Sequence, residues 1–243
     1  MSTHNPIISS REIARLIDIS AVRADSTRQD VEDIIDGAIK HNFICIFPMP
    51  GMLPLVFEKL KDHSQIGIGG VVGFPSGGET TASKLFQAKE LKEAGCNEID
   101  MVLNIGKLKS GMLNDIEDEI RQIKAAVSPL PLKVIMEVVL LTDEEIKTAS
   151  SIILKAGADY IKTGTGWAGA TTLHHIDLIK ETVGDAIKLK VAGGVRTLDT
   201  LLEMYQMCNT CIFCILSCIC WACFIRLPRP PFPPNIGFSL SHR

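Results

Sequence analysis

The chain has 243 residues, 46% of them hydrophobic and 22% charged, with a formal net charge of −3. That length suits one large domain with a substantial core, and α/β barrels of about 250 residues commonly form one. The near-neutral charge gives no reason to propose nucleic acid as a partner, and the composition is that of an ordinary globular protein. Met1 to Ser10 are polar and lack the apolar stretch of a secretory signal. Cys45 and Cys96 are the only cysteines before residue 208, as expected in a reducing cytoplasm, whereas six more fall between Cys208 and Cys223.

In chain order, short β-branched runs predict strands at residues 15–22, 43–47, 69–74, 98–103, 132–139, 160–163 and 187–192. Several are apolar throughout and bounded by proline or charge, as strands buried on both faces are. Helical patterns separate them. Ser26 and Gln29 have capping-box spacing before a helix at 31–39. Ile116, Ile120, Ile123 and Val127 form one apolar stripe. Thr142 and Glu145 form a second capping box, and a further helix starts at 199–205. Alternation of this kind implies a parallel sheet, and the predicted architecture is a TIM-type (β/α)8 barrel. About seven strands are visible where closure needs eight, so the eighth is missing or replaced by an atypical segment. The expected division is a barrel domain at 1–206 and an atypical tail at 207–243.

Ala94-Gly-Cys-Asn-Glu-Ile-Asp100 and Ala156-Gly-Ala-Asp-Tyr-Ile-Lys162 echo one another as helix end, glycine turn and strand entry. The echo puts Asp100 and Lys162 at equivalent heights on one face of two strands. Two similar αβ turns would give the same echo in any barrel. The residue types argue for more, because an unpaired charge in an apolar run is costly to bury.

A lysine in a buried strand is either paired structurally or functional. Desolvation and neighbouring cations lower its pKa, which leaves the free amine that a Schiff-base nucleophile requires. After Lys162, Gly164-Thr165-Gly166 offers backbone N–H groups and hydroxyls at the strand end where barrel sites lie. Lys188 and Lys190 share a face of the last predicted strand, with Lys190 nearer the mouth. Gly193-Gly194 then allows close approach of a ligand to the backbone. Asp100 and Glu137 are carboxylates in apolar runs. One acid and two amines form a consistent set: an electrophile-capturing amine, a cation beside it and a proton relay.

Asp100 in Glu-Ile-Asp-Met-Val, Lys162 in Tyr-Ile-Lys-Thr-Gly-Thr-Gly and Lys190 in Lys-Val-Ala-Gly-Gly-Val-Arg-Thr resemble the deoxyribose-phosphate aldolase family. Leu16-Ile-Asp-Ile-Ser20, Ile44-Cys-Ile-Phe-Pro48, Val72-Gly-Phe-Pro-Ser-Gly77 and Lys133-Val-Ile-Met-Glu137 follow the same family in order, and the resemblance spans about residues 11 to 206. It implies a cytoplasmic class I aldolase that reversibly cleaves 2-deoxy-D-ribose 5-phosphate into acetaldehyde and glyceraldehyde 3-phosphate. Lys162 would form the Schiff base, Lys190 would lower its pKa and Asp100 would shuttle protons. Ser20, Cys45, Thr165, Gly166, Gly193 and Gly194 are the implied substrate-binding candidates. No cofactor and no metal are implied, because the iminium is the electron sink. The expected partner is a small phosphorylated sugar, with no membrane partner and with homo-oligomerisation left open. Another Schiff-base aldolase on the same scaffold is a weaker option.

Beyond Gln206 the family pattern breaks, and the Gly-Ser-rich segment that would help bind phosphate is absent. Cys208, Cys211, Cys214 and Cys218 have iron–sulfur ligand spacing but lack the following proline. Residues 211–225 are apolar yet would reach only about 22 Å as a helix, short of a bilayer core of about 30 Å. Residues 210–216 are a β-rich run that can stand in as an eighth strand. The tail can also be the product of an altered transcript or an erroneous gene model. The last two readings are adopted together, and they predict a partly exposed apolar segment that promotes aggregation. The competing functional reading is an impaired barrel with an aggregation-prone or membrane-associated tail.

Other residues receive structural readings. Cys45 in Ile-Cys-Ile reads as core packing, and only the family resemblance puts it near the substrate pocket. His174-His175 suit a solvated first helical turn rather than a metal site, Trp167 shapes the mouth or caps the barrel, and Lys107 and Lys109 suit a solvated loop.

Overall fold

The structure, a computed structural model, describes residues 9–208 and 212–216. Eight parallel strands close a barrel in sequence order. They are β1 (Ile17–Ala21), β2 (Cys45–Pro48), β3 (Gly67–Val72), β4 (Glu98–Val102), β5 (Leu132–Ile135), β6 (Tyr160–Lys162), β7 (Lys188–Ala192) and β8 (Ile212–Leu216). The surrounding helices are α1 (Ser10–Ala14), α2 (Arg28–His41), α3 (Leu53–Leu60), α4 (Thr81–Glu93), α5 (Ile105–Lys109), α6 (Leu113–Val127), α7 (Asp143–Lys155), α8 (Leu173–Val183) and α9 (Leu198–Cys208).

The cysteine-rich run supplies the eighth strand. Phe213 to Leu216 pair with Ile17 to Ser20 of β1, and Ile212 to Cys214 pair with Lys190 to Ala192 of β7. This β-branched and aromatic run leaves no sheet edge open, so the fold is the expected barrel with its last strand drawn from an atypical segment. The rest of the iron–sulfur-spaced run, most of the apolar 211–225 stretch and the proline-rich residues 226–234 lie outside the described residues. No helix among the described residues is long and apolar enough to cross a membrane.

Helix signals translate into helices with small shifts. Thr142 caps α7 in a reciprocal box with Glu145. The box before α2 is one residue later than predicted: Thr27 pairs with Asp30, not Ser26 with Gln29, because the Asp30 carboxylate reaches the Thr27 N–H at 2.7 Å. Ile116, Ile120, Ile123 and Val127 of α6 are all fully buried, and truncating any of these isoleucines to alanine costs about 2–5 kcal/mol. Lys107 and Lys109 belong to α5 rather than a loop, in ion pairs with Asp115 and Glu145. At the amino-terminal end, Arg15 caps α1 instead of opening β1, and its guanidinium donates to the Phe43 and Gln65 carbonyls at 2.9 and 3.0 Å.

Candidate active site

The barrel interior is charged where most barrels are aliphatic. Asp100 of β4 is level with Lys133 of β5, and Lys133 is level with Tyr160 of β6, so Lys162 lies two residues further along. That offset across two strands is the stagger that brings inward-facing residues of tilted strands into one layer. Phe47 of β2 joins Asp100 and Lys162 by the same rule, since Cys45 is level with Gly67 and Gly69 with Glu98. The odd strands alternate with them: Asp18, Gly69, Lys133 and Lys190 form a layer of their own.

These layers touch through charge. The Lys162 ammonium donates to Asp100 Oδ2 at 2.6 Å, and the Lys190 ammonium approaches the same oxygen at 3.2 Å. Lys190 also makes a short bond to Asp18 Oδ2, which accepts from Lys133 at 3.2 Å. Lys133 also makes a short bond to Glu98 Oε1. Asp18, Asp100, Lys133 and Lys190 are fully closed off, and Lys162 is 4% exposed. Among the described residues, Asp18 Oδ1 and Asp100 Oδ1 accept no hydrogen bond. All three ammonium groups surround the Phe47 ring, with Lys190 at 4.2 Å from its centroid, Lys133 at 5.2 Å and Lys162 at 5.4 Å. Its negative face stabilises cations that have left water.

The electrostatics follow from those contacts. Burial by itself would raise the Asp100 pKa, but Lys162, Lys190 and Lys133 outweigh it and hold the carboxyl well below the usual range. Burial opposes the charge on Lys133, yet Asp18 leads the carboxylates that overcome it and the amine is held above the ordinary lysine value. These contacts favour the ionised forms of both Asp100 and Lys133 at neutral pH.

The binding candidates fall into two groups. Ser20 is buried on β1, two residues beyond Asp18. Cys45 is buried on the Phe47 face of β2, one inward position further from the carboxyl ends of the strands. Burial pushes its thiol pKa well up, and Glu98 and Asp18 add to the shift. Thr165, Gly166, Gly193 and Gly194 lie past the carboxyl ends of β6 and β7. Both Thr165 donors go to Glu137: its N–H at 3.1 Å and its hydroxyl in a short bond. Gly193 and Gly194 have φ of 87° and 81°, and added Cβ atoms would stand 2.6 Å from the Gly169 carbonyl oxygen and from Ala170 Cβ. The pair thus allows two loops to pack, a role independent of any ligand.

Sequence reasoning did not single out Asp18, Glu98, Lys133 or Phe47 as site residues. The signal that found Asp100 was available for Asp18 and Lys133, each a charge within an apolar strand. Glu137 lies beyond β5, not within a strand at 132–139. Its backbone turns left-handed and Val138–Leu140 follow as a 3-10 turn. His174 and His175 stand in the first turn of α8, His174 facing Asp143 and His175 closing a capping box with Thr172. Among the described residues, no cluster of His, Cys, Asp and Glu is arranged to hold a metal ion.

A closed parallel barrel whose core gathers three amines around two carboxylates holds the groups that amine chemistry on a carbonyl compound requires. The DeoC/LacD family aldolase profile matches residues 13–209. Over 198 residues the chain is 46% identical to the deoxyribose-phosphate aldolase of Sinorhizobium medicae, covering 81% of this chain and 80% of that one. It is 42% identical over 192 residues to the enzyme of the same name from Staphylococcus haemolyticus, covering 79% and 87%. In three dimensions it superposes on an assigned deoxyribose-phosphate aldolase from Coccidioides immitis with a TM-score of 0.81 at 26% identity, covering 87% and 84%. The chain belongs to the DeoC/LacD aldolase family.

Proposed function

We propose that this chain reversibly cleaves 2-deoxy-D-ribose 5-phosphate into acetaldehyde and glyceraldehyde 3-phosphate through a Schiff base on Lys162. The observation that carries the assignment is the Asp100 carboxylate shared by Lys162 and Lys190 at 2.6 and 3.2 Å. It gives a nucleophilic amine a buried anion and a second cation within one proton transfer. The Lys162 amine adds to the substrate aldehyde carbon, and loss of water leaves an iminium. Removal of the proton from the hydroxyl on the third carbon then breaks the bond between the second and third carbons. Its electron pair flows to the iminium nitrogen, giving an enamine and free glyceraldehyde 3-phosphate. Protonation of the enamine carbon and hydrolysis release acetaldehyde and restore the lysine. Asp100 Oδ1, with no hydrogen bond among the described residues, is the acceptor open to the moving proton.

The phosphate is assigned to the mouth, where the backbone N–H groups of Gly166, Gly193 and Gly194 lie beyond β6 and β7. Ser20, on the mouth side of Asp18 in β1, and Cys45, one inward position below Phe47 in β2, complete the proposed binding residues. A cytoplasmic setting fits the buried free thiols Cys45 and Cys96. The test is turnover by this chain of 2-deoxyribose 5-phosphate, unphosphorylated 2-deoxyribose and a longer sugar phosphate, read by coupled reduction of the aldehyde products. Clear preference for the phosphorylated pentose is expected. Equal or greater cleavage of the longer sugar phosphate would reject this substrate in favour of another aldol.

A further inference from the structure

We infer that Glu137 is a positioning residue of the aldolase site: through Thr165 it holds Trp167 across the barrel mouth against Phe74, roofing Lys162. The inference rests on the role proposed for Lys162.

Glu137 is unusual in its backbone. Its φ of 53° and ψ of 62° lie in the left-handed region, a conformation that among the described non-glycine residues only Asn42 shares. Asn42 caps the carboxyl end of α2, where a left-handed residue is a common stop signal. Glu137 follows a strand, where a glycine would make the same turn without strain. Strain of this kind persists where the surroundings over-determine it, and it gathers at functional sites. Here the surroundings are explicit. The side chain is buried, and Glu137 Oε2 accepts both the N–H and the hydroxyl of Thr165. The Thr165 hydroxyl oxygen in turn accepts the backbone N–H of Trp167 at 3.0 Å. A buried carboxyl group thus fixes the loop that begins one residue after Lys162.

The end of that chain is an aromatic bridge. The Trp167 and Phe74 rings meet edge to face, with centroids 5.9 Å apart and planes at 87°. Phe74 follows β3 and Trp167 follows β6, so the contact crosses the mouth over the arc of β4 and β5, which carry Asp100 and Lys133. Trp167 remains 43% exposed, so core packing does not account for an indole there. An indole held in this place screens the iminium and the enamine from bulk water and limits what enters from above.

The experiment uses the full chain with Trp221→Phe, which leaves Trp167 as its sole tryptophan. Into it are placed Glu137→Gly, Glu137→Gln and Thr165→Val. Glu137→Gly relieves the backbone while leaving the Thr165 donors unpaired, so the two effects oppose one another and its melting temperature is expected to stay within about 10 °C of the parent's. Acrylamide quenching of Trp167 is expected to rise about twofold in Glu137→Gly and Thr165→Val, because 43% of the residue is already accessible. In both, kcat/KM is expected to fall about tenfold or more, as for loss of a hydrogen bond to a charged group. Glutamine keeps an acceptor oxygen of the same reach, and it should restore parental quenching and most of the activity. Unchanged quenching and turnover in Glu137→Gly, with the parent trapped on Lys162 by acetaldehyde and borohydride, overturns the clamp alone. A parent that traps no aldehyde on Lys162 overturns the aldolase reading beneath it, and the roof with it.

Discussion

Replacing Gly69 with alanine should damage both the fold and the site. Gly69 occupies the interior layer of Asp18, Lys133 and Lys190, and the Phe47 ring leans into the space left by its missing side chain. A Cβ at Gly69 would stand 2.6 Å from Phe47 Cδ1 and nearer still to Cε1 and Cζ, where ordinary contact begins at 3.4 Å. The ring must therefore retreat by roughly 1 Å, against a packed interior that resists it. Overpacking of this kind costs about 1–3 kcal/mol, or about 2–12 °C in melting temperature for a chain of this size. The ring is also the face on which the Lys190 ammonium rests at 4.2 Å. A displacement of about 1 Å in a reacting constellation lowers turnover by up to about 100-fold. Gly70→Ala is the matched control, because its Cβ would press on Leu91 of α4 at 2.9 Å, on the outer face of the same strand. Both variants should lose stability in calorimetry, and only Gly69→Ala should lose kcat/KM by tenfold or more. Equal kinetics in the two variants would refute the idea that Phe47 couples the barrel core to the lysines.

Two further outcomes follow from buried charge. Lys84 and Glu119 pair at 2.7 Å outside the barrel with side chains essentially sealed from water. Lys84 also donates to the Val102 carbonyl at the end of β4, at 2.9 Å. Glu119→Ala should cost about 3–5 kcal/mol in urea unfolding, and Lys84→Met with Glu119→Leu should cost less than that single change. Asp100 has a folded pKa below its ordinary 3.8, so its stabilising contribution is complete above that value and is lost as pH falls through the folded value. The stability gap between wild type and Asp100→Asn should be constant near neutral pH and narrow below about pH 4, as followed by circular dichroism. A gap that stays constant to pH 2 contradicts the assigned direction of the shift.

Much of this barrel was readable in the sequence because hydrophobic period and boundary residues report local structure directly. The α6 stripe and the Thr142 box became helices as read. Strand ends were less legible: nothing local in Met136-Glu137-Val138 reveals that the chain turns left-handed there, because the Thr165 tether that holds it comes from the next strand's loop. The eighth strand was visible only as one of several readings of an apolar cysteine run, since pairing with Ile17–Ala21 is a long-range contact. Asp100, Lys162 and Lys190 could be found as charges out of place in apolar runs. Asp18 and Lys133 carry the same signal and form the other half of the network. Phe47 was not legible in that way: a phenylalanine in an apolar strand is ordinary until three ammonium groups are seen around its ring.

The central claim is that Lys162, among the three lysines buried inside the barrel, is the one that bonds to the substrate carbon. Its most direct test is reductive trapping of this chain with acetaldehyde and borohydride, followed by peptide mass mapping. The account predicts a single ethyl group on Lys162, and none anywhere in the Lys162→Met variant. An ethyl group on Lys190 or Lys133 in wild type, or trapping that survives Lys162→Met, would contradict it.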